Sequence, residues 1–526
     1  MTRKVVILTA GAGSRLNERT KYFNKALLKL GDQAAISHII SLFPADTEFV
    51  VGLGHLGHIV RQYLALAHPD NLITYVEIDK FSVPGAGPAY ALDKCKDHLQ
   101  EPFFFVACDT IIEAPSFHAN HKPGVDYMVY DTIPLADAAR YCTLRVHDGQ
   151  VIELYDKLPE GTNKAFTGFA HIQNWQDFWK AMSLNKIYIY QELQLSPAFA
   201  MLPCVQGIQM KWHDVGSEQG LLSARSVFKG IENLDKLDEE LYVVQNQVVK
   251  YFHNAEIVRK RIHRTRCLEG LIPQLTGFSE NFYRYKFVLG EDMFQRNDIV
   301  ELMPRLLNWA AANLWTAKKD CDKTEFYDAC WSFYRTKTLE RLHKFYTKTS
   351  LEDVQEAING LPSREIASYL SLIDWEHLCG TAVPSGFHGD FQPANIVVDS
   401  FKHFKLIDWR QDFGGIATHG DRYYDFAKLY CSLLMPHPSI KEGKYSLRRS
   451  SGEVFVDINV PGPIRDCRDI FESWLTRNGY SIGRTSLLAA IVMLNMAPLH
   501  EHPLDQWLYY YSKNLLSQIY PTGSRR

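Results

Sequence analysis

The sequence predicts an α/β domain with a mainly parallel sheet over its first 230 residues, followed by a small sheet and a large helical lobe. Three features carry that prediction. Short apolar runs alternate with helical patterns in the first half, the arrangement of strands and helices around a parallel sheet. The charged stretch from Glu232 to Glu240 then interrupts the pattern. From Asp298 onward apolar residues recur mostly at helical spacing. A length of 526 residues, at roughly 150 residues per domain, allows about three domains or two large ones. The expected division is a first domain over 1–230, a linker over 231–240 and a second domain over 241–526.

Taken in order, Val5–Leu8, Glu48–Val51, Leu72–Glu77, Phe103–Ala107 and Tyr127–Tyr130 read as strands. Segments near Ile36–Phe43, Leu56–Ala67 and Pro88–Leu99 read as helices. Thr143–Ile152 has hairpin character, because Asp148-Gly149 is a turn pair that tolerates positive φ. Beyond the charged stretch, Leu241–Phe252 and Phe282–Leu289 read as strands. Trp309, Trp315, Trp331, Phe333, Tyr334 and Phe345 lie on apolar helical stripes, and a strand–loop–strand unit at Phe387–Ile407 interrupts the helices. There is no internal repeat and no low-complexity segment.

Composition excludes several classes. Hydrophobic residues at 46 % and charged residues at 22 % are ordinary for a globular chain, so a disordered or collagen-like protein is ruled out. The net charge of −3 gives no bulk attraction to nucleic acid or to an anionic membrane. None of the 10 cysteines has CxxC spacing, which points to free thiols in a reducing cytosol rather than a zinc knuckle. The opening apolar run is too short for a leader and reads as the first strand. The longest late run, Leu487–Leu494, is far below the roughly 20 residues needed to span a bilayer. A soluble, cytoplasmic protein is expected. The histidines show no paired ligand spacing such as HExxH, and the late aromatics Trp474, Trp507, Tyr509, Tyr510 and Tyr511 sit at core spacing.

Two constellations carry chemistry. The first reads Leu8-Thr9-Ala10-Gly11-Ala12-Gly13-Ser14-Arg15-Leu16, then Asn24-Lys25-Ala26-Leu27-Leu28, ending at Gly31. A strand runs into a glycine loop that opens a helix. Main-chain N–H groups of Ala10, Gly11, Ala12 and Gly13 can then approach a phosphate chain closely. Arg15 and Lys25 add fixed positive charge where a pentavalent phosphorus would gain negative charge.

This run resembles the signature of the nucleoside-diphosphate-sugar pyrophosphorylase and phosphocholine cytidylyltransferase group, over roughly residues 3–230. The resemblance implies a Rossmann-like, GT-A-like nucleotidyltransferase domain with Arg15 and Lys25 as catalytic cations. It places Gly87, in Gly85-Ala86-Gly87-Pro88-Ala89, in the loop that contacts the base. It makes Asp109, at the end of Phe103–Asp109, and Asp214, in Trp212-His213-Asp214-Val215-Gly216, the carboxylates for Mg²⁺. Lys157, followed by Thr167-Gly168, would contact the substrate phosphate. Asn24 stands where that group usually has proline, and Thr9 replaces a small residue. In the implied reaction a phosphomonoester attacks the α-phosphate of a nucleoside triphosphate and pyrophosphate leaves.

The second constellation reads His388-Gly389-Asp390-Phe391-Gln392-Pro393-Ala394-Asn395, then Leu406-Ile407-Asp408-Trp409. Phosphoryl transfer from ATP uses such a set: one carboxylate takes the proton of the attacking hydroxyl, while an amide oxygen and a second carboxylate hold metal. The run resembles the aminoglycoside phosphotransferase and choline kinase family over about 241–520. That resemblance implies a bilobal, protein-kinase-like domain. Asp390 would be the base, Asn395 and Asp408 the Mg²⁺ ligands, Lys250 the lysine on the ATP phosphates and Val288 part of the adenine hinge. Gly420-Asp421-Arg422-Tyr423-Tyr424-Asp425 matches the family's later segment, with Asp425 as an anchor of the catalytic loop. No glycine-rich loop precedes Lys250, and the following helix, Val258–Arg264, is basic where a glutamate is expected; the nearest is Glu269. The basic run Arg259–Arg266 reads as a solvated face or an acidic-substrate rim.

The two resemblances imply a bifunctional enzyme. A kinase phosphorylates a small polar alcohol of choline, ethanolamine or amino-alcohol type with ATP. A nucleotidyltransferase then couples the phosphate product to a nucleotide, CTP being expected, to give a CDP-activated headgroup for surface glycans or lipids. A sugar kinase joined to a sugar-1-phosphate nucleotidyltransferase is the alternative, and a non-catalytic nucleotide-binding scaffold the third.

Overall fold

In a computed structural model, residues 3–522 are described apart from 82, 159, 186, 190, 231–236, 319 and 451. The chain divides into two compact units: 1–255 with 275–287, and 256–274 with 288–526.

The first unit is built on a nine-stranded sheet. Its order is Leu72–Glu77, Glu48–Leu53, Lys4–Leu8, Phe103–Ala107, Lys164–Ile172, Tyr127–Thr132, Gln206–Gln209, Gln150–Asp156 and Cys142–His147. Lys4–Leu8 is flanked by parallel partners, with Lys4 opposite both Glu48 and Phe103. Side chains alternate across a strand. Val5 and Ile7 therefore enter one core with Phe49, Val51, Phe104 and Val106. Val6 and Leu8 enter the opposite core with Val50, Phe103 and Phe105. Helices Ala35–Ile40 and Gly57–Ala67 cover the first face, and Pro88–Lys94 and Trp175–Leu184 the second.

The expected mainly parallel pairing runs through the first four strands of that order and recurs between Tyr127–Thr132 and Gln206–Gln209, interrupted by antiparallel strands. Lys164–Ile172 joins antiparallel to Phe103–Ala107, and the hairpin Cys142–His147/Gln150–Asp156 closes the far edge. A two-residue turn can only return antiparallel; here Asp148 (φ 47°) and Gly149 (φ 77°) supply the positive angles it needs. The glycine loop also differs from expectation. It opens into short 3₁₀ turns, Ser14–Thr20, broken at Asn17 (φ 48°), rather than into an α-helix.

A four-stranded antiparallel sheet, ordered Glu239–Val244, Gln247–Phe252, Phe282–Lys286 and Leu275–Phe278, belongs to the first unit. The sequence assigned these strands to the second half. Their apolar face (Tyr242, Val244, Val249, Tyr251, Phe282) is buried with Val60 and Tyr63. The rings of Tyr63 and Tyr242 lie 4.9 Å apart. Tyr242 donates its hydroxyl proton to the Leu27 carbonyl at 2.7 Å, and Arg284 donates to the Leu66 carbonyl at 2.6 Å. The compact units thus do not divide within 231–240, of which 231–236 lie outside the described residues.

The second unit contains a small sheet, Glu291–Asp292, Ile396–Val398 and Phe404–Leu406, and many helices. Helices Arg422–Leu434, Ile482–Met496 and Leu504–Ile519 pack together. The segment 482–499 is long and apolar enough to cross a membrane, and it is largely buried inside this unit, as a core helix is. Trp474, Trp507, Tyr509 and Tyr510 are buried. A four-stranded sheet of Leu361–Ser363, Glu356–Ile358, Glu453–Ile458 and Tyr445–Ser450 is an addition that the helical reading missed. All ten cysteines are free.

Replacing Tyr242 with alanine is expected to cost about 3–5 kcal/mol, the usual loss for a large buried aromatic. Hydrogen exchange of the Lys4–Leu8 amides should accelerate accordingly. Unchanged exchange there would contradict this sheet's membership of the first unit.

Candidate functional site

In the first unit the candidate site forms at the carboxyl ends of the parallel strands, where open α/β sheets place their ligands. Lys4–Leu8 leads into Thr9–Gly13, and Phe103–Ala107 leads to Asp109. Asp214 comes from far along the chain. The short strand Trp212–Asp214 pairs antiparallel with Thr110–Ile112, setting Asp214 opposite Thr110. The Val215 amide donates to the Asp109 carbonyl at 3.0 Å. Both carboxylates and Arg15 then surround Gly216. A β-carbon there would stand 2.7 Å from Asp109 Oδ2, 3.1 Å from Asp214 Oδ1 and 3.2 Å from an Arg15 guanidinium nitrogen.

Lys25 completes the cluster, with Nζ 2.8 Å from Asp109 Oδ2. Burial opposes charge on this ammonium, but the Asp109 carboxylate outweighs it and raises the pKa. Asp109 is half-buried, which opposes its charge, but Lys25 and Arg15 hold it below the usual carboxylate range. Asp214 goes the other way: burial, then the like charge of Asp109, raise it. Tyr141 donates to Asp214 Oδ2 at 2.9 Å, and the Gly216 amide donates to Oδ1 at 2.8 Å.

The two departures from the family pattern have a physical account. Asn24 donates to the carbonyls of Thr9 (2.8 Å) and His55 (2.6 Å) and accepts from the Ala26 amide (2.8 Å). It therefore pins the turn that carries Lys25 to the end of the first strand, using bonds no proline could make. Thr9 donates its hydroxyl proton to the Gly52 carbonyl at 2.9 Å. Gly13 adopts φ 69°, and a β-carbon on Gly11 would lie 3.8 Å from Lys25 Cε, so the loop Ala10–Gly13 runs beside the lysine. Gly87 has φ 135°, and a β-carbon there would strike the Leu193 backbone at 2.6 Å. Lys157 reaches the residue before Leu193, with Nζ 3.9 Å from Glu192. Its amide donates to the Tyr141 carbonyl at 3.0 Å.

Among the described residues no group of three or more His, Cys, Asp or Glu side chains is gathered for a metal. Magnesium needs less: one or two carboxylates, with substrate phosphates and water filling the other positions. Asp109 and Asp214 fit that demand. Their mutual repulsion is what a divalent cation relieves, and Gly216 leaves room beside them.

In the second unit, Asp390 Oδ2 accepts from Asn395 Nδ2 at 2.8 Å and from Gln392 at 3.2 Å, while Oδ1 lies 2.6 Å from Lys428 Nζ. Burial opposes ionisation of Asp390, and Lys428 overcomes it and lowers the pKa. The Ile407 amide donates to the Asn395 carbonyl at 2.9 Å, which sets Asp408 (φ 60°) next to the loop. Buried Asp425 accepts from the amides of His388 and Gly389, both at 2.7 Å, and from the Trp315 indole at 3.0 Å. It therefore shapes the loop from behind. His388 is fully buried and burial pulls it down to about 4, so it is neutral at pH 7.

The basic helix is not a solvated face throughout. Arg261 pairs with Asp408 at 2.6 Å. Buried Arg264 donates to the carbonyls of Phe387, His388 and Arg410. Burial lowers it to about 10, which still leaves it charged at pH 7. Of the other predicted residues, Lys250 is buried in Gln247–Phe252 of the first unit, and Val288 follows the strand Phe282–Lys286 at the start of the second unit's 288–526 segment. Sequence reasoning missed Tyr141, Gly216, Arg261 and Lys428. Only Lys428 left a signal, being one helical turn after Asp425.

Residues 5–121 match the model of the MobA-like NTP transferase domain. The first unit therefore carries an NTP transferase domain. A probable mannose-1-phosphate guanylyltransferase 3 of Oryza sativa subsp. japonica is 32 % identical over 136 residues, covering 24 % of this chain and 37 % of that one. The chain thus spans little more than a third of that relative's length. A glucose-1-phosphate cytidylyltransferase of Salmonella typhimurium is 23 % identical over 200 residues, covering 32 % of this chain and 75 % of that one. A solved UDP-glucose pyrophosphorylase complexed with UDP-glucose superposes with a TM-score of 0.38 at 17 % identity, over 43 % of this chain and 98 % of that one.

Asp425 makes stability depend on pH. Burial raises its pKa to about 6, against about 4 in an unfolded chain. Between those values the folded state keeps a proton that the unfolded chain has lost, so Asp425 subtracts stability as pH rises, by up to about 3 kcal/mol. In urea unfolding, the stability of the parent relative to Asp425→Asn should fall between pH 4 and 6 and level off above. A constant difference would contradict the raised value.

Proposed function

We propose that the chain is a bifunctional enzyme. The second unit phosphorylates a small polar alcohol with ATP. The first then couples the resulting phosphomonoester, of the sugar-phosphate class, to a nucleotide drawn from a nucleoside triphosphate, with CTP as the nucleotide we assign. The observation that carries the nucleotidyl-transfer reading is the meeting of Lys25, Arg15, Asp109 and Asp214 around Gly216. The matched NTP transferase domain supports it, as do relatives whose names place them on sugar 1-phosphates, one of them with a cytidylyl group.

In the first unit a phosphate oxygen of the acceptor attacks the α-phosphorus, the bond to the β-phosphate oxygen breaks, and pyrophosphate leaves. Lys25 and Arg15 stabilise the charge that grows on the phosphoryl oxygens. Asp109 and Asp214 would hold Mg²⁺, which supplies Lewis-acid polarisation of the phosphates. Tyr141 keeps Asp214 oriented.

In the second unit the substrate hydroxyl attacks the γ-phosphorus of ATP, its proton passes to Asp390, and ADP leaves. Asn395 and Asp408 would hold Mg²⁺ there. Lys428 keeps Asp390 ionised and ready to accept the proton. The support is the geometry of the loop: a deprotonated Asp390 held between Asn395 and Lys428 on a frame set by Asp425.

Two substitutions separate the activities. Lys25→Ala should reduce pyrophosphate release at least about 100-fold while ADP release continues. Asp390→Asn should reduce ADP release by a similar factor, with pyrophosphate release restored when the phosphorylated acceptor is supplied. Loss of both reactions from either variant, with the protein folded, would show that the two centres are not separate.

A further inference from the structure

We propose that the alcohol phosphorylated at Asp390 is an anion, carrying a carboxylate or phosphate group that Lys337, Arg341 and Arg410 receive. The inference rests on the kinase reading of this unit and names its substrate class.

Asp390 has two sides. Oδ2 faces Asn395, the side assigned to metal. Oδ1 faces Lys428, and around Lys428 the charge is strongly positive. Lys337 Nζ lies 4.0 Å from the centre of the Phe333 ring, and the Arg410 guanidinium lies 4.9 Å from the same ring. Arg410 is fastened to the catalytic loop: its amide donates to the His388 carbonyl at 3.0 Å. A β-carbon on Gly389 (φ 89°) would lie 2.4 Å from Arg410 Cβ. Arg341 follows Lys337 by one turn of the helix Lys337–Thr349, which begins at a π turn, Ser332–Thr336.

The nearby anions are already committed. Asp390 pairs with Lys428, and Asp412 pairs with Lys260 at 2.9 Å. Arg410 Nε donates to the Asp412 main-chain carbonyl, not to its carboxylate. Among the described residues, no Asp or Glu oxygen forms an ion pair with Lys337 or Arg341, and both are partly open to solvent. Burial, then Arg410, Arg341 and Lys428, pull Lys337 down to about 6, and burial followed by Arg410 lowers Arg341. Gathered like charges of this kind repel. A bound carboxylate or phosphate relieves the repulsion and restores full charge to Lys337. A quaternary amine would meet the same field as a penalty, which disfavours the choline-type acceptor that the family resemblance implies.

The test offers the full chain, with Mg²⁺ and ATP, four kinds of acceptor while ADP release is followed. Choline and ethanolamine are cationic, and glycerol and glucose neutral. Glycerate and gluconate carry a carboxylate, and glycerol 3-phosphate carries a phosphate. Turnover at least tenfold higher in either anionic arm is expected, and which arm leads tells carboxylate from phosphate. Lys337→Met should then raise KM for that acceptor at least tenfold with KM for ATP changed less than twofold, and Lys337→Arg should restore most of the loss. Preference for a cationic or neutral alcohol overturns the proposal and leaves the kinase reading standing. ATP binding without ADP release in any arm also counts against the proposal, whereas absence of ATP binding by calorimetry overturns the kinase reading beneath it.

Discussion

A carboxylate partly withdrawn from water needs a neighbouring cation to stay charged, and that constraint shapes both candidate centres. Taking an ion out of water costs several kcal/mol, so buried charges persist only in pairs with good geometry. Each centre meets this in the same way. A half-buried lysine holds one carboxylate ionised (Lys25 on Asp109, Lys428 on Asp390) and an arginine faces a second carboxylate: Arg15 near Asp214, Arg261 on Asp408. Asp109 and Asp390 are thereby kept charged and aimed before any substrate arrives, as electrostatic preorganisation requires.

Holding these pairs in place falls to buried polar groups that bond to the backbone. Asn24 spends both ends of its amide on backbone, so the turn bearing Lys25 cannot drift from the first strand. Asp425 accepts two loop amides and an indole, fixing the conformation that presents Asp390. Arg264 performs the matching task for carbonyls, tying Phe387, His388 and Arg410 together from a helix packed beside them. In each case hydrogen bonds to the backbone offset much of the cost of burying the group.

The four-stranded sheet of Glu239–Phe252 and Leu275–Lys286 shows how burial overrides order along the chain. By sequence it opens the second half. By packing it belongs with the first, since Tyr242, Tyr251 and Phe282 present an apolar face that Val60 and Tyr63 cover. A hydrophobic face is indifferent to which segment covers it.

Local pattern was enough to read the strands through Leu8, Glu77 and Ala107 and the hairpin at Asp148-Gly149, and to single out Lys25, Asp109, Asp390 and Asn395 as candidates. Each depends on spacing within a short stretch: alternation across a strand, a turn that needs positive φ, a loop of fixed length. The antiparallel insertion of Lys164–Ile172 into the large sheet, the meeting of Asp214 with Asp109, and the inward turn of Arg261 and Arg264 were settled only in three dimensions. So were Lys428 against Asp390 and the cations around Phe333. These are contacts between segments far apart in the chain, and a charged side chain on a helix looks alike in sequence whether it faces water or a buried carboxylate. The sequence alone specified which charges the chain carries; the tertiary fold decided which of them must face one another, because only packing removes the water that would otherwise screen them.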